Sequence, residues 1–287
     1  GEGSGSQIRH RFSRQMETYP PPKYNRMKTC TSISGGQSSA YIAKNYPTDY
    51  NVFALVTVLD KDCAPKDKGL IKIVSDKIGK DFIGTVEDDT IIHTILDLEQ
   101  EIGNKIDWVT GKPFEELRKT TVPNIMWRYC TELMKIKPMF QWWKANFDEP
   151  IQMNIGFRAG EDKRAKNMLE RCNEDGLRAY GKTYWQKPHF PMIADNIHRD
   201  KVVNFWKEKD VRFAVQNNCV GCFHRNPLVL RKMFDLHPEK MEWFIKEEER
   251  KNARFKNEIT YSEIKSHKAQ HEIDFDDWSC DSGYCGL

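Results

Sequence analysis

The strongest constraint on this chain is the alternation of strand-like and helix-like segments through its first half, which predicts a parallel sheet with crossover helices. Residues 27–33 are a short β-prone run that ends in Ser34-Gly35-Gly36, and 38–46 follow with helix-compatible residues closed by Pro47. Residues 51–59 are almost continuously apolar, the pattern of a strand buried on both faces. Leu70, Ile71, Val74 and Ile78 recur at helical spacing over 66–79, and a short strand is expected near Phe82 and Ile83. Residues 90–102 read as an amphipathic helix with Thr90 as its candidate N-cap. Further strands are expected over 106–109 and 151–157. Past Pro188 the pattern is mostly helical, over 199–208, 227–235 and 238–256. No internal repeat is visible.

A chain of 287 residues has room for one large α/β domain with an appendage. We expect a tag remnant and extended arm over 1–26, an α/β domain over 27–195, and a helical, cysteine-containing region over 196–287. With 45 basic and 42 acidic residues the net charge is only +3, which argues against a general nucleic-acid binder but permits a local basic patch. No apolar run approaches the ~20 residues of a membrane span, and nothing after the first residues reads as a signal peptide. Eight cysteines scattered without small-domain spacing suit a reducing, cytoplasmic compartment better than a disulfide scaffold.

A strand that stops at Ser-Gly-Gly and hands over to a helix has a physical use. Glycines let the backbone come close to an anion, and the first helical N–H groups point at it. The hydroxyls of Ser34, Ser38 and Ser39 can add donors. An ordinary tight turn gives the same letters. The spacing and lysine of a G-x-x-x-x-G-K-S/T loop are missing, and so is a G-x-G-x-x-G fingerprint. Arg158, Glu161 and Arg164 follow a late strand, where arginines can clamp phosphate or sulfate bidentately and Glu161 can orient one of them. A solvated ion cluster is the alternative. Asp60, past the second strand, can contact ribose or a metal, or simply cap the turn.

Ser34-Gly35-Gly36-Gln37-Ser38-Ser39 resembles the SGGxDS or SGGxTS motif of the PP-loop superfamily, with Ser38 where Asp or Thr is usual. Residues 123–138 contain Arg128-Tyr129-Cys130-Thr131 and then Lys135-Ile136-Lys137-Pro138. They resemble the R-x-C-T-x-x-x-K-I/V-x-P segment of the phosphoadenosine phosphosulfate (PAPS) reductase-like branch, which includes DNA-phosphorothioation enzymes and phage-encoded reductase-like proteins. Residues 156–164 resemble that branch's G-x-R-x-x-E-x-x-R turn, and Phe190-Pro191-Met192 with the 199–206 helix a looser later segment. The matches lie in family order from about residue 28 to 225. The resemblance implies a Rossmann-like fold of the adenine nucleotide alpha hydrolase type, ATP or a related adenine nucleotide at Ser34–Ser39, and Mg²⁺.

Cys219-Val220-Gly221-Cys222 can present two thiolates to one metal, or act as a redox dithiol. The resemblance adds Cys130 to that pair as ligands of a 4Fe–4S cluster, with zinc as the alternative and Cys285, Cys280 or His224 as candidate fourth ligand. Cys285-Gly286-Leu287 is similar to the E-C-G-I/L-H tail of sulfonucleotide reductases, with Tyr284 in place of the Glu, making Cys285 a candidate nucleophile beside Cys130. Cys30, Cys63 and Cys172 read as buried or incidental thiols. Trp142-Trp143 can stack a base beside Lys135, Lys137 and Lys144, or pack in a core.

Three functions follow from the resemblance. ATP is cleaved to AMP and pyrophosphate, activating a nucleic-acid or small-molecule acceptor for sulfur transfer from a donor. A thiol, recharged by a reductant protein, reduces a sulfonucleotide to sulfite. Or the chain is a nucleotide-binding module without catalysis.

Overall fold

The computed structural model describes residues 26–117 and 119–267. The strands are β1 (Thr29–Ile33), β2 (Tyr50–Leu55), β3 (Asp107–Thr110), β4 (Ile151–Asn154), β5 (Arg178–Tyr180) and β6 (Thr183–His189). They form one six-stranded sheet in the order β3-β2-β1-β4-β6-β5. Every pairing is parallel except β5 with β6.

Around the sheet lie α1 (Gln37–Asn45), α2 (Lys68–Ile78), α3 (Asp89–Ile102), α4 (Tyr129–Thr131), α5 (Lys137–Asn146), α6 (Asp162–Leu169), α7 (Pro191–Ala194), α8 (Arg199–Lys207), α9 (Pro227–Leu236), α10 (Pro238–Lys251) and α11 (Tyr261–Ser266). A π-helical turn, Glu132–Ile136, joins α4 to α5. The expected α/β class and mostly parallel sheet are therefore present. Among the described residues no helix is long and apolar enough to cross a membrane.

Several boundaries differ from expectation, each for a tertiary reason. Phe82 and Ile83 form no strand. They lie beyond the sheet, where Gly84 makes a single antiparallel bridge to Val58, and Phe82 packs into the core instead. The apolar run of β2 stops pairing at Leu55, because the Val56 N–H is taken by the buried Glu87 carboxylate at 3.3 Å. Asp88, not Thr90, caps α3, accepting the Thr90 N–H at 2.9 Å. The β5–β6 hairpin was not expected at all. Its alternation in Thr183–His189 is short and interrupted by Pro188.

Packing also crosses the expected 195/196 boundary. One core joins Ile33, Phe53, Leu55 and Ile91 with Val202, Trp206 and Val211. Another joins Val56, Val86 and Phe114 with Val220, Leu230, Trp243 and Phe244. A third, under α5 and α6, holds Met153, Trp143 and Trp185.

The topology creates one special place. From β1 the chain winds outward through β2 and β3, then returns to the other side of β1 as β4. The crossovers leaving β1 and β4 diverge there, opening a crevice at the carboxyl ends of those two strands, where open α/β sheets bind ligands.

Candidate functional site

The Ser34–Ser39 turn leaves β1 into this crevice. Gly35 has φ +77°, and a Cβ on it would lie 2.6 Å from Ile91 Cγ2, so conformation and space both demand glycine. Gly36 has φ −101°, which any residue adopts, but its Cβ would lie 2.6 Å from Asn217 Nδ2. Gly36 is thus small only to admit something above it. No side chain caps α1, so its first-turn N–H groups remain for an anion.

Ser39 is used inside the turn. Its Oγ accepts the Ser34 N–H at 3.0 Å, pairs with Ser34 Oγ at 3.1 Å and donates to Gly36 O at 3.0 Å. The donor role expected of Ser39 is therefore a bracing role. Among the described residues the Ser38 hydroxyl has no hydrogen-bond partner, and it lines the cavity.

β4 delivers the second group. A Cβ on Gly156 would lie 3.1 Å from Ser39 N, so this glycine lets β4 run against the start of α1. Beyond it Glu161 Oε2 accepts the Arg158 N–H at 2.8 Å and Arg158 Nε at 3.2 Å, while Oε1 pairs with Arg164 Nη1. The Arg164 guanidinium also stacks on the Phe157 ring at 4.2 Å. These are not solvated charges, since all three side chains are less than one fifth exposed. The carboxylate fixes both guanidiniums beside the turn.

A cavity of about 680 Å³ holds all of this, and its lining includes the whole Ser34–Ser39 turn, Arg158, Glu161 and Arg164. Its size suits a ligand pocket. Arg199 and Lys207 of α8 and Arg128 add positive charge, so the described lining carries one carboxylate, Glu161, against several cations. That carboxylate is already held by two guanidiniums. The described lining therefore does not fit a protein-held Mg²⁺, which needs carboxylate oxygens.

The lining also includes Cys130, Cys219 and Cys222, with Lys135. All three are free thiols. Burial pushes the Cys130 thiol up to about 11, helped by Cys222 and opposed by Arg128 and Thr131. Burial likewise raises Cys219, and neighbouring Glu87 adds to the effect while Lys135 opposes it. Lys135 donates to Glu87 Oε1 at 2.9 Å and to Asn218 Oδ1 at 3.0 Å. The three expected thiols do line the same cavity. Yet among the described residues no three His, Cys, Asp or Glu side chains form a group that could hold a metal. Cys280 and Cys285 lie outside the described residues.

Asp60 is not brought to the cavity. It caps a 3₁₀ turn by accepting the Asp62 N–H at 2.9 Å and pairs with Lys246 at 3.3 Å. The tryptophan pair is structural as well: Trp143 is buried and donates to Glu149 O, and Trp142 donates to Asp107. Cys30 and Cys63 are buried, and Cys172 is half-buried.

Sequence reading missed Glu87, Asn217, Asn218, Arg199, Lys207 and Arg225. The last is 7% exposed and holds the loop before Cys219 by donating to Gln216 Oε1, Asn217 O and Cys219 O. Only the polar run Gln216-Asn217-Asn218 beside the CxxC hinted at this, without any periodic signal. No protein-family model, curated protein or solved structure matches the chain.

Proposed function

We propose that the chain is a Rossmann-like, PP-loop adenine-nucleotide enzyme of the PAPS reductase-like kind. It cleaves ATP between the α- and β-phosphates, transfers the adenylyl group to an acceptor, and lets sulfur from a separate donor displace AMP. One observation carries this reading. The uncapped start of α1 and the guanidiniums of Arg158 and Arg164 line the same cavity at the crevice between β1 and β4.

The chemistry follows from that arrangement. Breaking the α–β bond builds negative charge on departing pyrophosphate. N–H groups at the start of α1, with the partial positive charge of a helix N-terminus, receive it where fixed donors need no reorganisation. Arg158 and Arg164 neutralise the remaining charge, and Glu161 holds them in place before the nucleotide arrives. Bound Mg²⁺ would add charge neutralisation on the phosphates, and no step here depends on it. Burial raises the Cys130 and Cys219 thiols above their ordinary values, which disfavours either as the attacking thiolate. The reading therefore assigns the sulfur to a separate donor.

The test is product identity. Incubation with ATP, a candidate acceptor and a sulfide donor should release pyrophosphate and AMP, and Gly35→Ala should cut the rate at least tenfold. ADP and phosphate as products would sink the proposal. Sulfite from PAPS with a dithiol reductant would support the reductase reading in its place. Tight ATP binding with no product would point to the binding module.

A further inference from the structure

The amide of Asn217 sits over Gly36, and its orientation can be derived. Lys135 has only donors, so the atom of Asn218 that faces it at 3.0 Å must be the carbonyl Oδ1. That turns Asn218 Nδ2 towards Asn217, whose Oδ1 accepts it at 3.2 Å. Asn217 Nδ2 is then left pointing at Gly36, within 2.6 Å of where a Cβ would stand. Glu87, 1% exposed, anchors the other end of the relay by holding Lys135 at 2.9 Å. Arg225 fixes the backbone on either side through Asn217 O and Cys219 O. Asn218 takes φ +67°, a left-handed conformation that Asn tolerates, so the loop turns back over the α1 terminus.

A carboxamide held this way has a reason to be there. Gly36 needs no glycine for its backbone angles, so the missing side chain serves to keep this space open. Both Asn217 and the Ser34–Ser39 turn line the cavity, and Asn217 presents N–H donors next to the uncapped α1 terminus. We propose that the Asn217 Nδ2 is a further phosphate donor, completing the anion cradle from the opposite side of Gly36. Its aim is set by the Glu87–Lys135–Asn218 relay. The inference rests on the nucleotide reading above and names a binding residue that this reading does not include. It also makes the grip on phosphate depend on the loop that carries Cys219.

Calorimetric titration of the full chain with ATP, pyrophosphate and AMP tests it, using wild type, Asn217→Ala and Asn217→Asp. A lost hydrogen bond to a charged group weakens binding by about tenfold or more. Asn217→Ala should therefore weaken ATP and pyrophosphate by about tenfold, and leave AMP within about twofold. Asn217→Asp, of nearly the same size, should weaken them further through charge repulsion, and it carries the test if the alanine variant does not fold. Equal loss for all three ligands would mean a merely structural role and overturn the inference. So would unchanged binding of ATP and pyrophosphate by a folded variant. A wild type that binds none of the three overturns the nucleotide reading and this inference with it, whereas a binding wild type with an equally binding variant overturns this inference alone.

Discussion

Gly35 and Gly36 are adjacent and identical in type, but they are glycine for different reasons. Gly35 at φ +77° meets Ile91 if it gains a Cβ, and Ile91 is fully buried. Gly35→Ala should cost about 1–3 kcal/mol, from left-handed strain plus overpacking. Gly36→Ala meets only the far end of the Asn217 side chain, which can swing aside by giving up its 3.2 Å contact with Asn218. Its cost should be smaller, about 0.5–1 kcal/mol for the lost hydrogen bond. Urea denaturation of both variants checks this contrast, and equal midpoints would refute it. The sequence marks both glycines as a turn. It cannot separate a conformational glycine from a spatial one, because that distinction lies in Ile91 and Asn217.

At the scale of elements, helix starts show how local signals are resolved. Thr90 and Asp88 are both acceptable caps on paper. Asp88 prevails because His237, at the α9–α10 junction, lies 3.3 Å from its other oxygen. Burial alone would push the Asp88 carboxyl up. Hydrogen bonds from His237 and Thr90, with the charge of His237, outweigh it and hold the group at about 2. A carboxyl held below its ordinary value contributes stability that is present above about pH 4 and lost as pH falls through about 2. Asp88→Asn keeps the cap but not the charge. It should cost about 2 kcal/mol near pH 5, a gap that closes as the pH approaches 2. Unfolding free energies measured across that range decide it, and a gap independent of pH would count against the assignment.

For the whole molecule, the division of the chain at 195/196 is the feature most changed by packing. Val202, Trp206 and Val211 complete the core on one side of the sheet, and Trp206 Nε1 donates to Gln37 O at 3.0 Å. On the other side Trp243 and Phe244 close over Phe114 and Val86. Lys240, buried on α10, ties that helix to Asp89 at 2.6 Å and to Glu87 O. The cavity itself takes lining from both sides of the boundary. A fragment of residues 1–195 should therefore show no cooperative unfolding, while the full chain unfolds in one transition. Circular dichroism during thermal melting would reveal the difference. A fragment that melts as sharply as the full chain would restore a separable domain.

The sequence by itself determined the order and kind of the main elements, and the turn at the end of β1. Those are written in local terms: the apolar run of β2, the helical spacing of Leu70 to Ile78, and two glycines where a strand meets a helix. It also placed Arg158, Glu161 and Arg164 at a strand end, where the structure has them. Only the tertiary structure decided what each group faces. It sent Asp60 to a cap and to Lys246, spent Ser39 inside the turn, and laid Asn217 over Gly36 through a relay that begins at Glu87. The Phe82–Ile83 strand failed for the same reason, since a strand needs a neighbour and the chain there had already left the sheet. Pairing of distant residues depends on sheet order and on which side of β1 the chain returns. No period or spacing encodes that choice; burial of the shared cores makes it.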